Sequence, residues 1–175
     1  MNKQERFLKL YEPIHDRFER FCRARLYGHS SFMEHSDLMN DSLLIAYDKF
    51  ESLESEKAFL SFLFGIAIRI LSNHQKKKKE ERFISDNHMV MVASSSVSDL
   101  NAELHFLYEA LNQLNLEQRE SIILFEISGF SIKEIAVLHQ TSESSVKQRL
   151  KRGREKLANI LAYNSINKEK EVQNG

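Results

Sequence analysis

Apolar positions recur at helical spacing along most of this chain, and no stretch alternates strictly as a half-buried strand would. From about Arg6 to Arg82 the pattern runs through "FLKLYEPIHDRFERFCRARL", "SDLMNDSLLIAYDKFESL" and "AFLSFLFGIAIRILSNHQKKKK". It predicts three or four helices, broken near Pro13, near Gly28 and at the acidic "ESLESEK" of residues 51–57. Periodicity lapses where serines cluster, and residues 85–101 read as a flexible linker; "VMVAS" within it has no strand to pair with. A stripe of Leu104, Leu107, Tyr108, Leu111 and Leu114 restarts the helical pattern. Asn115 and Gln118 then make a capping pair for a helix through "LEQRESIILFEIS", with Gly129 placed to end it. The expected fold is all-α: two small helical domains, residues 1–84 and 102–164, joined by the linker and followed by a charged, frayed tail at 165–175.

The next stretch predicts a helix-turn-helix. "SIKE", Ser131 to Glu134, has the form of a capping box and opens a short helix burying Ile132, Ile135, Ala136 and Leu138. "QTS" turns the chain, and Ser142 is placed to cap a longer helix beginning "SSVKQRLKRGREKL". On a helical wheel Val146, Leu150, Gly153 and Leu157 share a narrow arc, which is the core side. Ser144, Gln148, Lys151 and Glu155 lie opposite, flanked by Lys147 and Arg152. Such a face offers donors to base edges from its first turns and cations to phosphates further along. A charge-rich outer face is more commonly plain solvated surface; the capped turn before it and its excess of cations favour nucleic acid.

Composition narrows the classes. Lys plus Arg and Asp plus Glu both number 25, so no overall field draws the chain to DNA, and affinity must come from local clusters at Lys76–Lys79 and Lys147–Lys156. With one cysteine, Cys22, there is no internal disulfide and no zinc knuckle, and the seven histidines show no metal-ligand spacing. No nucleophile, base and orienter are grouped by a motif, and no glycine loop would cradle a phosphate, so neither catalysis nor a cofactor is expected. The charged N-terminal stretch lacks the features of a secretory signal, and the longest uncharged run, Ala58 to Ile68, is too short to cross a bilayer. A cytoplasmic protein without membrane insertion is expected.

"GFSIKEIAVLHQTSESSVKQRLKRGREKL" resembles region four of the bacterial extracytoplasmic-function sigma factors, members of the sigma-70 superfamily. Gly129, Ser131, Glu134, Ile135, Ala136, Ser142, Val146, Lys147, Arg149, Leu150, Arg152, Arg154 and Leu157 fit that pattern as they stand. His139, Gln140 and Thr141 depart from the family's Leu-Gly-apolar turn, so Gln140 is asked for a backbone conformation that glycine reaches more easily. "SDLMNDSLLIAYDKF" resembles the family's region two, with Asn40 and Asp41 as shortened forms of the usual Gln and Glu. "FLSFLFGIAIRILSNHQKKKK" is similar to the segment that follows, although Gly65 and Ile68 stand where Arg is frequent.

The resemblance implies a factor that delivers RNA polymerase to promoters, and assigns residues accordingly. Asp37, Leu38, Asn40, Asp41 and Leu44 would meet core RNA polymerase. Phe62, Arg69, Asn73, His74, Lys76, Lys77, Lys78 and Lys79 would meet the opened minus-ten element, with the loop 51–57 where the family holds a flipped base. Ser142, Ser144, Ser145, Lys147, Gln148, Arg149, Lys151 and Arg152 would meet promoter DNA at the minus-35 element. An anti-sigma factor is the further partner implied. Two other readings stay open on the residues alone: a helix-turn-helix regulator that does not deliver polymerase, and a helical protein-interaction adaptor.

Overall fold

The computed structural model describes residues 1–28, 33–84 and 102–173, and the linker expected at 85–101 lies outside them. The chain divides into two units, Met1–Ala93 and Ser94–Gly175. Among the described residues every regular element is helical.

In the first unit α1 spans Lys3–Tyr11, α2 His15–Leu26, α3 His35–Asp48 and α4 Phe59–Ile84. The starts and breaks follow local chemistry. Asn2 Oδ1 accepts from the Glu5 amide at 2.9 Å while Glu5 Oε2 accepts from the Asn2 amide at 2.8 Å, a reciprocal cap on α1. Pro13, which has no amide proton to give, tightens Glu12–Ile14 into a 3-10 turn instead of continuing α1. Gly28, just past α2, sits at φ 71°.

Phenylalanines fill the core between these helices. Phe7 of α1 meets Tyr47, Phe50 and Phe59 edge-on at 5.3, 5.4 and 5.4 Å, and Phe64 of α4 packs on Phe18 and Phe21 of α2 at 5.1 and 4.9 Å. Leu38, Ala46, Leu63, Ala67 and Leu71 complete it. Ser42 is fully buried, and its hydroxyl donates to the Leu38 carbonyl at 2.6 Å, so no polar atom is stranded there. Cys22 is buried as well, which pushes its thiol far above the ordinary range and leaves it inert.

In the second unit α5 spans Ala102–Asn112, α6 Leu116–Ile122, α7 Ile132–Leu138 and α8 Glu143–Gln173. Asn115 Oδ1 accepts from the Gln118 amide at 2.9 Å and starts α6. A π turn at Ile123–Ile127 then widens the helix, closed by Ser128 N–H donating to the Ile123 carbonyl at 2.9 Å, before Gly129 at φ 67° ends it. Tyr108, Leu111, Leu114, Ile122, Ile123, Leu124, Phe130, Ile135, Val146 and Leu150 form the core. Of the stripe on α5, Leu104 is exposed rather than buried, and Ile132 and Leu138 of α7 are only half-buried. The helix expected to end in a frayed tail instead continues to Gln173: residues 154–173 contain neither Gly nor Pro and are rich in Lys, Glu, Leu and Ala, which propagate helix.

Candidate nucleic-acid and partner-binding surfaces

The second unit carries the expected helix-turn-helix. The Ser131 hydroxyl accepts from the Glu134 amide at 3.3 Å, and Glu134 Oε2 accepts from the Ser131 amide at 2.8 Å, so the box forms. After α7 the turn passes through Gln140 at φ 50°, the left-handed region a side chain adopts at a cost of about 1 kcal/mol. Ser142 Oγ accepts from the Ser145 amide at 3.1 Å and caps α8, and the Ser142 and Ser145 hydroxyls also bond each other at 2.9 Å. Both serines thus serve the start of the helix.

The wheel's inner arc is the packed one: Val146 and Leu150 are buried, and Gly153 faces Gln118 and Ile122 of α6. A Cβ at Gly153 would stand 2.7 Å from Ile122 Cδ1, so any side chain there would force Ile122 to shift. Ser144, Lys147, Gln148, Lys151, Arg152 and Glu155 are exposed. Arg149 is different. Its guanidinium turns back into the domain, with Nη2 3.2 Å from Glu117 Oε1 on α6 and Nη1 3.4 Å from Nδ1 of His139. Arg154 is likewise engaged, donating from Nε and Nη2 to Glu126 at 2.8 and 2.6 Å while lying over the Phe125 ring.

On the first unit, Asp37, Asn40, Asp41 and Leu44 are exposed and share one face of α3 at spacings of three and four. Leu44 is 64% exposed, a large apolar side chain offered to solvent amid acids and amides. Asp37 also accepts from the Glu34 amide at 3.2 Å, helping to start α3. Leu38, expected on this surface, is instead fully buried in the core of the first unit, so its side chain is not part of the exposed face of α3.

α4 changes character along its length. Phe64 and Leu71 are core, whereas Phe62 is half-buried and Arg69, Asn73, Lys76 and Lys77 are exposed. At 3.6 residues per turn those five side chains fall within an arc of about 100°, which makes one aromatic-then-cationic stripe. His74 and Lys79 lie outside that arc, Lys79 being exposed and His74 half-buried; Lys78 also falls outside it by position on the helix. Asn73 and His74 line, with Asp41, Leu44, Ile45 and Ile70, a groove of about 340 Å³ between α3 and α4. The acidic, leucine-bearing face of α3 and the aromatic and cationic face of α4 therefore share an edge, which the linear sequence did not disclose.

The acidic loop before α4 has a cation that sequence reasoning missed. Arg6 of α1 lies 3.7 Å from Glu51 and 3.5 Å from Glu56, with its guanidinium over the Phe50 ring, so two of the loop's three acids are paired. The only advance signal was an Arg one turn into an amphipathic helix, which fits any surface. His15, Asp16 and Glu19 also bring ligand atoms within 4.8 Å of one another. The Glu19 carboxylate is gripped there by Arg23 Nε and Nη2 at 3.0 and 2.8 Å, which holds its pKa below the usual range, and His15 Nδ1 is bonded to the Tyr11 hydroxyl at 2.8 Å. Two of these three ligands, His15 and Glu19, are thus already engaged by protein groups.

The family described as "Sigma-70, region 4" matches residues 107–157, which run from the second half of α5 through α6, α7 and the turn into the first half of α8. The chain is similar to the RNA polymerase sigma factor NccH of Alcaligenes xylosoxydans xylosoxydans, 26% identical over 138 residues covering 74% of each chain. It is also similar to the ECF RNA polymerase sigma factor EcfG of Rhodopseudomonas palustris, 27% identical over 126 residues covering 71% of this chain and 70% of that one. Among solved structures, the sigma factor RpoE crystallised with the anti-sigma factor NepR from Bartonella quintana superposes with a TM-score of 0.77 at 27% identity, covering 89% of this chain and 96% of that one. The chain belongs to the extracytoplasmic-function sigma factor family. In this sigma factor the departures at His139–Thr141 leave the turn between α7 and α8 formed, with Gln140 taking the left-handed position. Among the described residues of this sigma factor no helix is long and apolar enough to cross a membrane.

Proposed function

We propose that this sigma factor uses three faces in transcription initiation, two of which adjoin along the groove between α3 and α4. Asp37, Asn40, Asp41 and Leu44 on α3 dock on core RNA polymerase. Ser144, Lys147, Gln148, Lys151 and Arg152 on α8 enter the major groove of the minus-35 element. The stripe of Phe62, Arg69, Asn73, Lys76 and Lys77 on α4, flanked by His74 and Lys79 and with Lys78 on the same turns of the helix, follows the opened minus-ten strand. The chemistry is suited to each step: an exposed leucine ringed by acids can anchor a protein contact, donors on the first turns of a helix reach base edges, and aromatic faces with cations hold unstacked single strand.

The observation that carries this reading is the capped helix-turn-helix whose second helix keeps its cations and amides outward while burying Val146, Leu150 and Gly153. The polymerase supplies the bond-making, and the protein itself is not an enzyme. An anti-sigma factor is the expected regulator, since the Bartonella quintana sigma factor was crystallised with one. A cytoplasmic site of action accords with these partners.

Run-off transcription with core RNA polymerase and promoter DNA, with and without the protein, tests the reading. Specific transcripts should depend on the protein; polymerase that initiates equally well without it, across candidate promoters, refutes the assignment. Specific footprinting by the protein alone would instead favour a helix-turn-helix regulator, and partner binding with no DNA dependence an adaptor. Asp41→Arg should abolish core-polymerase binding while leaving the circular dichroism spectrum unchanged, because it reverses charge at the edge of the groove without touching the core.

A further inference from the structure

We propose that Arg149 and His139 are positioning residues that, with Glu117 and Glu120, fix the pitch of α8 against α6 and α7 and so set where its outward side chains meet the promoter. The proposal rests on the duplex-reading role given to α8 above. By spacing, Arg149 stands among the cations of that helix, between Gln148 and Lys151. On the wheel, however, it lies about 60° from the buried Val146, at the rim of the packed arc and not opposite it. Its fork reaches inward to two elements at once: Nη2 to Glu117 on the first turn of α6, and Nη1 to His139 at the end of α7.

The histidine makes this more than a surface ion pair. Its side chain is 6% exposed, and its other nitrogen, Nε2, stands 3.2 Å from Glu120 Oε2, close but off the hydrogen-bond line. A guanidinium only donates, so Nδ1 of His139 has to accept, and the ring proton belongs on Nε2, facing the Glu120 carboxylate. One tautomer thus links α6, α7 and α8 in sequence: Glu117, Arg149, His139, Glu120. The junction sits directly before Gln140, where the chain turns from α7 into α8, so a tilt of α8 would have to break it. Swinging Arg149 out to a phosphate would leave a buried ring nitrogen without its donor, which makes that use of the side chain costly.

The test uses holoenzyme reconstituted with core polymerase and a promoter fragment, with affinity measured across a salt series. Lys147→Gln, removing an outward cation, should lower the slope of log affinity against log salt by about 1. Arg149→Gln should weaken binding several-fold at every salt concentration while leaving that slope unchanged. Glu117→Gln should weaken binding in the same direction, and the double variant should be no worse than Arg149→Gln alone. If Arg149→Gln lowers the slope as Lys147→Gln does, and Glu117→Gln leaves affinity unchanged or tightens it, Arg149 is a phosphate contact and the proposal fails. Should Arg149→Gln not fold, Arg149→Lys keeps the charge without the fork and should likewise weaken binding at constant slope; wild-type affinity would overturn the proposal. Nitrogen-15 NMR of the His139 ring in the free protein is independent of DNA: protonation at Nε2 is expected, and protonation at Nδ1 overturns the network. If Lys147→Gln changes neither slope nor affinity, it is the duplex-reading role of α8 that falls, and the ring tautomer still decides the geometry.

Discussion

At the scale of single residues, two positions have effects whose sign is set by geometry. Gln140 holds φ 50°, where glycine has no steric penalty, so Gln140→Gly should stabilise the protein by about 1 kcal/mol despite removing a side chain. Thermal unfolding should show the midpoint rising by a few degrees. Gly153 behaves oppositely. Helix propensity alone would have Gly153→Ala gain up to about 1 kcal/mol, but its Cβ would meet Ile122 Cδ1, and Ile122 is itself only 3% exposed with little room to yield. The expected outcome is a loss of about 1–3 kcal/mol in urea unfolding, partly restored by Ile122→Val, which removes that methyl. The strain at Gln140 was legible in sequence because a helix-turn-helix needs a left-handed residue there and the chain supplies no glycine. The inward turn of Arg149 was not, since its partners Glu117, Glu120 and His139 are brought to it only when α6, α7 and α8 pack.

At the scale of elements, starts were more legible than ends. Asn115, Ser131 and Ser142 cap the helices the pattern gave them, because a cap is a local bond between residues three apart. Ser131→Ala should cost about 1 kcal/mol in chemical denaturation, the usual loss for such a cap. The π turn after Ile122 has no local signature, and the continuation of α8 to Gln173 was hidden by a charged composition that reads equally as tail or helix. α3 carries a pH-dependent element at its first residue. Burial, with the Arg23 charge second, lowers the pKa of His35 from its ordinary 6.5, so the unfolded chain takes up this proton more readily than the folded one. Stability should therefore fall as pH drops below the ordinary imidazole value, and His35→Asn should flatten urea-unfolding stability across that window. The Arg23-bound Glu19 acts in the same direction at lower pH, its contribution being present above the unfolded carboxylate value and lost as pH falls through the folded one.

At the scale of the whole molecule, a formal net charge of zero coexists with faces that are locally cationic, and the two units each hold their own core. The protein alone should bind promoter duplex weakly, while in holoenzyme the double variant Lys147→Gln, Lys151→Gln should reduce the salt slope by about 2, measurable by filter binding or fluorescence anisotropy. Fold class and the order of helices were readable from periodicity, because burying an apolar stripe is a short-range demand. What periodicity could not supply was adjacency: that Asp41 and Leu44 share a groove with Asn73 and His74, or that Arg6 reaches the loop acids of Glu51 and Glu56. The close approach at Gly153 extends this to descent. Where two helices touch through an absent side chain, neither surface can change alone, so across related chains the residues corresponding to 122 and 153 should vary inversely in size: wherever alanine or serine replaces the glycine, a shorter side chain should face it.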